Sequence, residues 1–532
     1  MVDLLIHGGR VLDGTGAPWF HAAVAIEGDR IAAIQRVPRD SASATLSLDA
    51  TGCFVAPGFI DPHTHSDLPL VINPQAESQV RQGVTTVVTG NCGTSPAPAG
   101  PRGGAYLDEM LAAREAGRTL GRSWQTFGQY LDRLRRQGTA VNVVPLVGHG
   151  TIRGEVMGLE QRPPTPDELA AMCKMLTEAL DDGVFGLSTG LIYPPSSYAD
   201  TEEIVALAKV ASQRGGLYFS HIRGEGETLL DSVAEAIEIG RRADLPVQIA
   251  HHKAERPPNW GKVAQTLEMM EAARAEGVDV AYDAYPYTAS SSGLTRLLPE
   301  WALTGGRDAL LERLRDPAER ARVLVGIGER TAGIEGWHTV VLSWVPSAEH
   351  KRWEGQTFEQ IGQQLGMAPD EAVIHVLEVA RGAGSIVYFQ LDEADVRRVL
   401  THPLGMIGSD GSVAATYGPL SAGQPHPRFY GTHPRVLRRY VRELGLLTWE
   451  EAVRKMTTAP AQRLGLQRKG VIREGLDADM VVFDPATVMD RATYEAPHQY
   501  PAGIRHVVVN GQVVVRDGEH LGALPGRVIT RP

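Results

Sequence analysis

Eight short apolar runs, separated by stretches of helical period, constrain this chain more than any other feature of its sequence. They are FVAPGFIDPH near 54–63, TTVVTGN, NVVPLVG, VFGLSTG, LYFSH, PVQIAHH, VDVAYDAYP and GMIGSD. Runs so continuously apolar suit strands of a parallel sheet, which are buried on both faces. Eight of them alternating with helices predict an α/β chain closed into a (β/α)8 TIM-like barrel. In such barrels the reactive groups collect where the strands end. His63 and His65 close the first run, Cys92 the second, His149 the third and Thr189 the fourth, while His221, His251, Tyr285 and Asp410 close the rest.

The two ends of the chain read differently. Residues 1–56 alternate in half-apolar bursts around a Glu27-Gly28-Asp29 turn, and 470–532 have the same texture in ADMVVFD and IRHVVVNGQVVVRDG. Asn510-Gly511 between valine-rich runs marks a two-residue hairpin, because both turn positions need positive φ. Either end alone would make a marginal sheet, so 1–56 and 470–532 are expected to join in one small β-sandwich domain, leaving 57–469 as the barrel. One connection is oversized, with more than a hundred residues between Tyr287 and Gly405. Within it, RDALLERLRDPAERARVL and TVVLSWV carry helix and strand signals, so 295–365 is expected to be a folded lid subdomain over the barrel mouth. In TPDELAAMCKMLTEALDDG, Thr165, Pro166 and Glu168 form a helix start and Gly183 a stop; Cys173 shares the apolar stripe of Leu169 and reads as packing.

Composition narrows the functional classes. The 532 residues are 43% hydrophobic and 22% charged, which suits a folded globular chain. Lys plus Arg total 52 against 63 for Asp plus Glu, a net charge of -11 that implies no basic face and argues against a nucleic-acid partner. Three cysteines make no disulfide framework and suit a reducing compartment. With no basic leader and no run of about eighteen apolar residues, the expectation is a soluble, cytoplasmic protein without a membrane partner.

His63 and His65, at i and i+2 on a strand, point to one face and can grip one ion. Alone the pair is unspecific; its weight comes from Cys92, His221, His251 and Asp410 at other strand ends of the same mouth. A soft thiolate with two imidazoles, Cys92 with His221 and His251, is a zinc-like set that leaves a fourth position open. His63, His65 and Asp410 form a second, harder and weaker set, and the Cys92 thiolate has lone pairs to bridge two ions. Such a centre acidifies water to a pKa of about 7, which makes hydrolysis the natural chemistry. Asp410 beside that water would accept its proton and pass it to a leaving nitrogen.

PGFIDPHTHSD, GNCG, the HIR at 221–223, the HHK at 251–253, DAYPY, GSDG, HPRFYGTHPRVL and KGVIREGLDADMVVFD together resemble the D-aminoacylase (N-acyl-D-amino-acid deacylase) family of the amidohydrolase superfamily, almost end to end. The resemblance implies a tight Zn2+ at Cys92, His221 and His251, a weaker metal position at His63 and His65, and Asp410 as catalytic base. It also implies substrate contacts from Tyr193, Lys253, Tyr285 and Arg428, and hydrolysis of N-acyl-D-amino acids to a carboxylic acid and a free D-amino acid. The D preference comes wholly from the resemblance. Two stretches depart from the family pattern: SVAATYGPLSAGQP lengthens the path from Asp410 to His426, and Gly224-Glu225 stands where an acidic pair is expected.

Arg428 suits bidentate binding of a substrate carboxylate, and Lys253, two residues past His251, shares its strand face, for either a substrate contact or a salt bridge to a neighbouring carboxylate. Tyr193 and Tyr285 have phenols to offer an oxyanion or a carboxylate, His252 faces away from His251 into packing or a contact behind the ligands, and His149 has either an orienting or a structural role. Two other functions compete. A cyclic-amide hydrolase of the hydantoinase or dihydroorotase kind would share the histidines and the aspartate, but VFGLSTGLIY lacks the bridging lysine of those enzymes. A barrel kept as a non-enzymatic assembly module would be expected to have lost ligands, and none is missing.

Overall fold

The computed structural model describes residues 2–35, 44–104, 107 and 121–531. Eight parallel strands form the central barrel: β1 (Phe59–Asp61), β2 (Val84–Thr89), β3 (Asn142–Pro145, continued as Val147–Gly148), β4 (Gly186–Gly190), β5 (Leu217–His221), β6 (Val247–Ile249), β7 (Val280–Ala284) and β8 (Gly405–Ile407). All eight expected runs supply one. β3 pairs with β2 through its first part and with β4 through its second, so the break at Leu146 joins two sheets into one wall. The wall closes where Thr64 bridges Gly411, with His65 N donating to Gly411 O at 2.7 Å. Ile60, Val88, Val144, Leu146, Phe185, Leu217 and Phe219 fill the lower barrel, and Ala461 and Leu464 plug its foot. The strand ends opposite that plug are left for polar side chains.

Amphipathic helices cover the outside. Pro166–Asp181 begins with Thr165 accepting from Glu168 N, the capping box expected, and Cys173 packs against the main core. Thr201–Gln213 and Trp449–Met456 are capped in the same way by Asp200 and Thr448.

Both ends of the chain enter one sandwich. A seven-stranded sheet places Phe54–Pro57 between Arg10–Val11 and Met480–Phe483, and a four-stranded sheet of Val2–His7, Ala23–Glu27, Arg30–Gln35 and Ala44–Asp49 faces it. Their shared core holds Ile6, Val24, Val55, Met480, Val482 and Val508. The turn at Asn510 (φ 47) and Gly511 (φ 79) has the two positive φ values the hairpin demands.

Three details differ from the sequence reading. FVAPGFIDPH is two strands: Phe54–Pro57 belongs to the sandwich and Phe59–Asp61 to the barrel, divided at Gly58, where a Cβ would meet Thr85 Oγ1 at 2.2 Å. The inserted unit is wider than 295–365, because Ser385–Phe389 is the middle strand of a three-stranded antiparallel sheet between Ala289–Gly293 and Val340–Trp344. That unit has a separate core running from Leu294 to Tyr388. Finally, the last residues leave the sandwich, with Val143 N donating to Arg527 O and Ile529 N to Val143 O beside β3.

Candidate active site

The strand ends bring the six proposed metal donors together. Among the described residues, three overlapping groups place one donor atom per residue within 4.8 Å of the others: Cys92, His221 and His251; His63, His65 and Cys92; His63, His251 and Asp410. Cys92 Sγ lies 3.3 Å from His63 Nε2 and 3.6 Å from His251 Nε2. His251 Nε2 faces His221 Nδ1 at 2.8 Å, and Asp410 Oδ1 lies 3.0 Å from His65 Nε2 and 3.6 Å from His63 Nε2.

The backbone is bent to achieve this. Cys92 (φ 52), His251 (φ 36) and Asp410 (φ 48) all occupy the left-handed region that side chains rarely adopt. Such strain persists only where surrounding contacts over-determine it. In GNCG, the glycines on either side of Cys92 show why: a Cβ at Gly90 would meet Leu146 O at 2.0 Å, and one at Gly93 would meet Gly190 N at 2.6 Å.

Neighbouring charges shift two groups of this cluster. Burial pushes the Cys92 thiol up, but the His63, His251 and His221 imidazoles more than reverse this and hold it well below its usual range. Burial likewise raises Asp410, and Arg428, His251 and His65 bring it well below the ordinary carboxylate value. Both groups therefore stand as anions.

Two buried carboxylates that the sequence reading did not assign to the site orient these donors. Asp283 Oδ1 lies 3.0 Å from His63 Nδ1 and accepts the His251 backbone N–H at 2.8 Å. Glu225 Oε1 lies 3.0 Å from His251 Nδ1 and accepts from Lys253 Nζ at 2.5 Å, while Oε2 lies 3.6 Å from His221 Nε2. Asp283, two residues before Tyr285 on β7, was detectable from spacing alone. Glu225 stood out in the sequence only as a departure.

A cavity of about 1350 Å³ opens above the donors, and every proposed site residue except His63, which lies buried beneath, contributes to its lining. Arg428 is buried and ion-paired to Asp410 Oδ2 at 2.9 Å, its guanidinium 5.0 Å from the Tyr285 ring centroid and its Nε without a hydrogen-bond partner. The Tyr285 hydroxyl is also unpartnered, whereas Tyr193 OH meets Ser292 Oγ at 3.1 Å. His149 does not join them: it bonds Ser196 Oγ at 2.8 Å and Glu203 Oε1 at 2.9 Å, a brace beside the cavity. Thr189 bonds Tyr218 and Ser220, and His252 bonds Thr266.

The amidohydrolase family pattern matches residues 47–515. Over 534 residues, 99% of this chain and 98% of the relative, the sequence is 40% identical to a D-aminoacylase of Alcaligenes xylosoxydans xylosoxydans. The chain belongs to the amidohydrolase family. A second relative of this amidohydrolase, an N-acyl-D-glutamate deacylase of the same organism, is 41% identical over 100% of this chain and 97% of its own. Among solved structures, the N-acyl-D-glutamate deacylase of Bordetella bronchiseptica, complexed with zinc and a phosphonate inhibitor, superposes with a TM-score of 0.83 at 36% identity, covering 99% of both chains. No helix among this amidohydrolase's described residues is long and apolar enough to cross a membrane.

Proposed function

We propose that this amidohydrolase is a zinc-dependent, cytoplasmic hydrolase of N-acyl-D-amino acids that yields a carboxylic acid and the free D-amino acid. The observation that carries this reading is the convergence of Cys92, His221, His251, Asp410 and Arg428 on one cavity, in a chain about 40% identical end to end to a D-aminoacylase.

The residues fit zinc. A thiolate and two imidazole nitrogens converge, and the outer nitrogens of both imidazoles face one carboxylate, Glu225, which fixes their tautomers and raises their basicity. Cys92, His221 and His251 would hold the tight ion. His63 and His65, with Asp410, would supply a weaker second position. When bound, zinc acidifies a water to a pKa of about 7 and polarises the amide carbonyl.

This chain's own residues do the rest. Asp410, held anionic, accepts the proton of the attacking water at a carboxylate oxygen and returns it to the amide nitrogen as the C–N bond breaks. Arg428, the Tyr285 hydroxyl and Lys253 receive the α-carboxylate, and Tyr193 lies over the His221 ring, with centroids 5.1 Å apart, where its phenol steadies the carbonyl oxygen.

The direct test is amine release from N-acetyl amino acids of both hands, with hydantoin and dihydroorotate alongside. Turnover of D-forms in excess of L-forms, with the cyclic amides inert, is expected. Preferential opening of a ring would overturn the reading in favour of a cyclic-amide hydrolase.

Arg428→Ala separates carboxylate binding from the other contacts of this side chain. A buried guanidinium–carboxylate pair commonly contributes about 2 to 5 kcal/mol when one partner is deleted, or roughly 30-fold to several thousand-fold. Because Arg428 also touches Asp410, some loss is expected on every substrate. The loss in kcat/KM should be larger by that factor on an N-acetyl-D-amino acid than on the matching amino amide. Equal losses would mean that Arg428 acts only through Asp410.

A further inference from the structure

The substrate cavity is larger than an acetylated amino acid needs. Its volume of about 1350 Å³ exceeds the roughly 300–1,000 Å³ of pockets that enclose drug-sized ligands. Its two sides also differ in chemistry. Lys253, Tyr285 and Arg428, which meet the α-carboxylate, follow β6, β7 and β8. Across the barrel axis, the loops after β3 and β4 contribute Met157, Leu159 and Ile192, and the inserted unit faces them with Leu297, Leu303 and Leu310. The two walls meet in a seam where Gly305 N donates to Leu159 O at 3.4 Å. The floor between them is the helix His149–Met157, whose Gly150 and Gly154, four residues apart and on one face, both line the cavity without side chains.

From this asymmetry we infer that the apolar arm on the β3–β4 side takes the substrate's acyl chain, so that the preferred substrates carry a linear alkyl acyl group of medium length in place of acetyl. The inference rests on the hydrolytic reading above. With the scissile amide over Cys92, His221 and His251, its nitrogen side must reach toward Lys253, Tyr285 and Arg428 to place the carboxylate. The carbonyl side is then directed across the axis, into the arm lined by Met157, Leu159 and Leu310. Those side chains offer an alkyl chain apolar surface to bury against, while Arg102, Thr151, Glu160, Thr304 and Arg307 also line the cavity.

The test is a series of acetyl, butyryl, hexanoyl and octanoyl derivatives of one D-amino acid. Each buried methylene is worth about fourfold in kcat/KM, so hexanoyl should exceed acetyl by at least about thirtyfold. Gly154→Leu then fills the arm: a Cβ there meets only Pro195 Cγ, at an ordinary 3.8 Å, and leucine is favoured over glycine inside a helix. The hexanoyl-to-acetyl ratio should fall at least about tenfold in this variant, and likewise in Leu159→Asp, which places a charge at the seam. A flat series in the wild type, or a ratio unmoved by both substitutions in folded, zinc-loaded protein, would overturn the inference and leave the hydrolytic reading intact. Absence of turnover on every N-acyl-D-amino acid, whatever its chain length, would overturn both.

Discussion

Cys92→Ser is expected to empty the Cys92–His221–His251 centre and take amide hydrolysis to the background rate. Serine keeps nearly the volume of cysteine, so the packing between Gly90 and Gly93 survives and the variant should fold. What it removes is the soft anionic donor that His63, His251 and His221 hold in thiolate form. Two imidazoles remain, and a set reduced from three protein ligands to two no longer encloses a zinc ion. Because the same sulfur belongs to two of the three donor groups, the weaker position loses affinity as well. Zinc content after dialysis, thermal melting and amine release on the purified variant check the three parts separately. Stoichiometric zinc with normal turnover would show that the thiolate is not a ligand.

Asp410→Asn should produce the opposite pattern, with zinc largely kept and turnover reduced by about 10² to 10⁴. Asparagine retains an acceptor for His65 and leaves the Cys92–His221–His251 group untouched. It has no carboxylate to accept a proton from water or to hand one to the leaving nitrogen. With ground-state binding assigned to Arg428, Tyr285 and Lys253 in the proposed function, the loss should fall mainly on kcat. Arg428 would lose its ion-pair partner, which leaves the guanidinium freer for a substrate carboxylate and favours a lower KM. A variant with wild-type kcat would make Asp410 a structural residue of the β8 turn.

What the sequence made legible is what local pattern encodes. Parallel strands buried on both faces leave a continuous apolar signature, so all eight barrel strands could be marked, and with them the positions of the donors. Asn510-Gly511 and the Thr165–Glu168 capping box are equally local, fixed by φ and by one reciprocal hydrogen bond. The missing parts depend on tertiary context. Ala289–Gly293 is a serine-rich strand that becomes one only by pairing with Ser385–Phe389. Glu225 and Asp283 read as ordinary acids until the fold buries them against His251 and His63. The closing residues beside β3 have no periodicity, and only their hydrogen bonds with Val143 give them a place.

The run from Phe54 to Asp61 crosses from an interior strand of the seven-stranded sheet into the first barrel strand through the single residue Gly58, and two residues later it delivers His63. In consequence this architecture has no modular joint. The sandwich is held by segments far apart in the sequence, and its strand Phe54–Pro57 continues directly toward His63 and His65, the proposed metal ligands. No single crossover in recombination can exchange the sandwich, and a fusion partner or deletion that shifts the register of Met480–Phe483 against Phe54–Pro57 is transmitted along the same backbone to the catalytic mouth. Variation compatible with chemistry is thereby steered away from the termini and toward the inserted unit, whose core is its own.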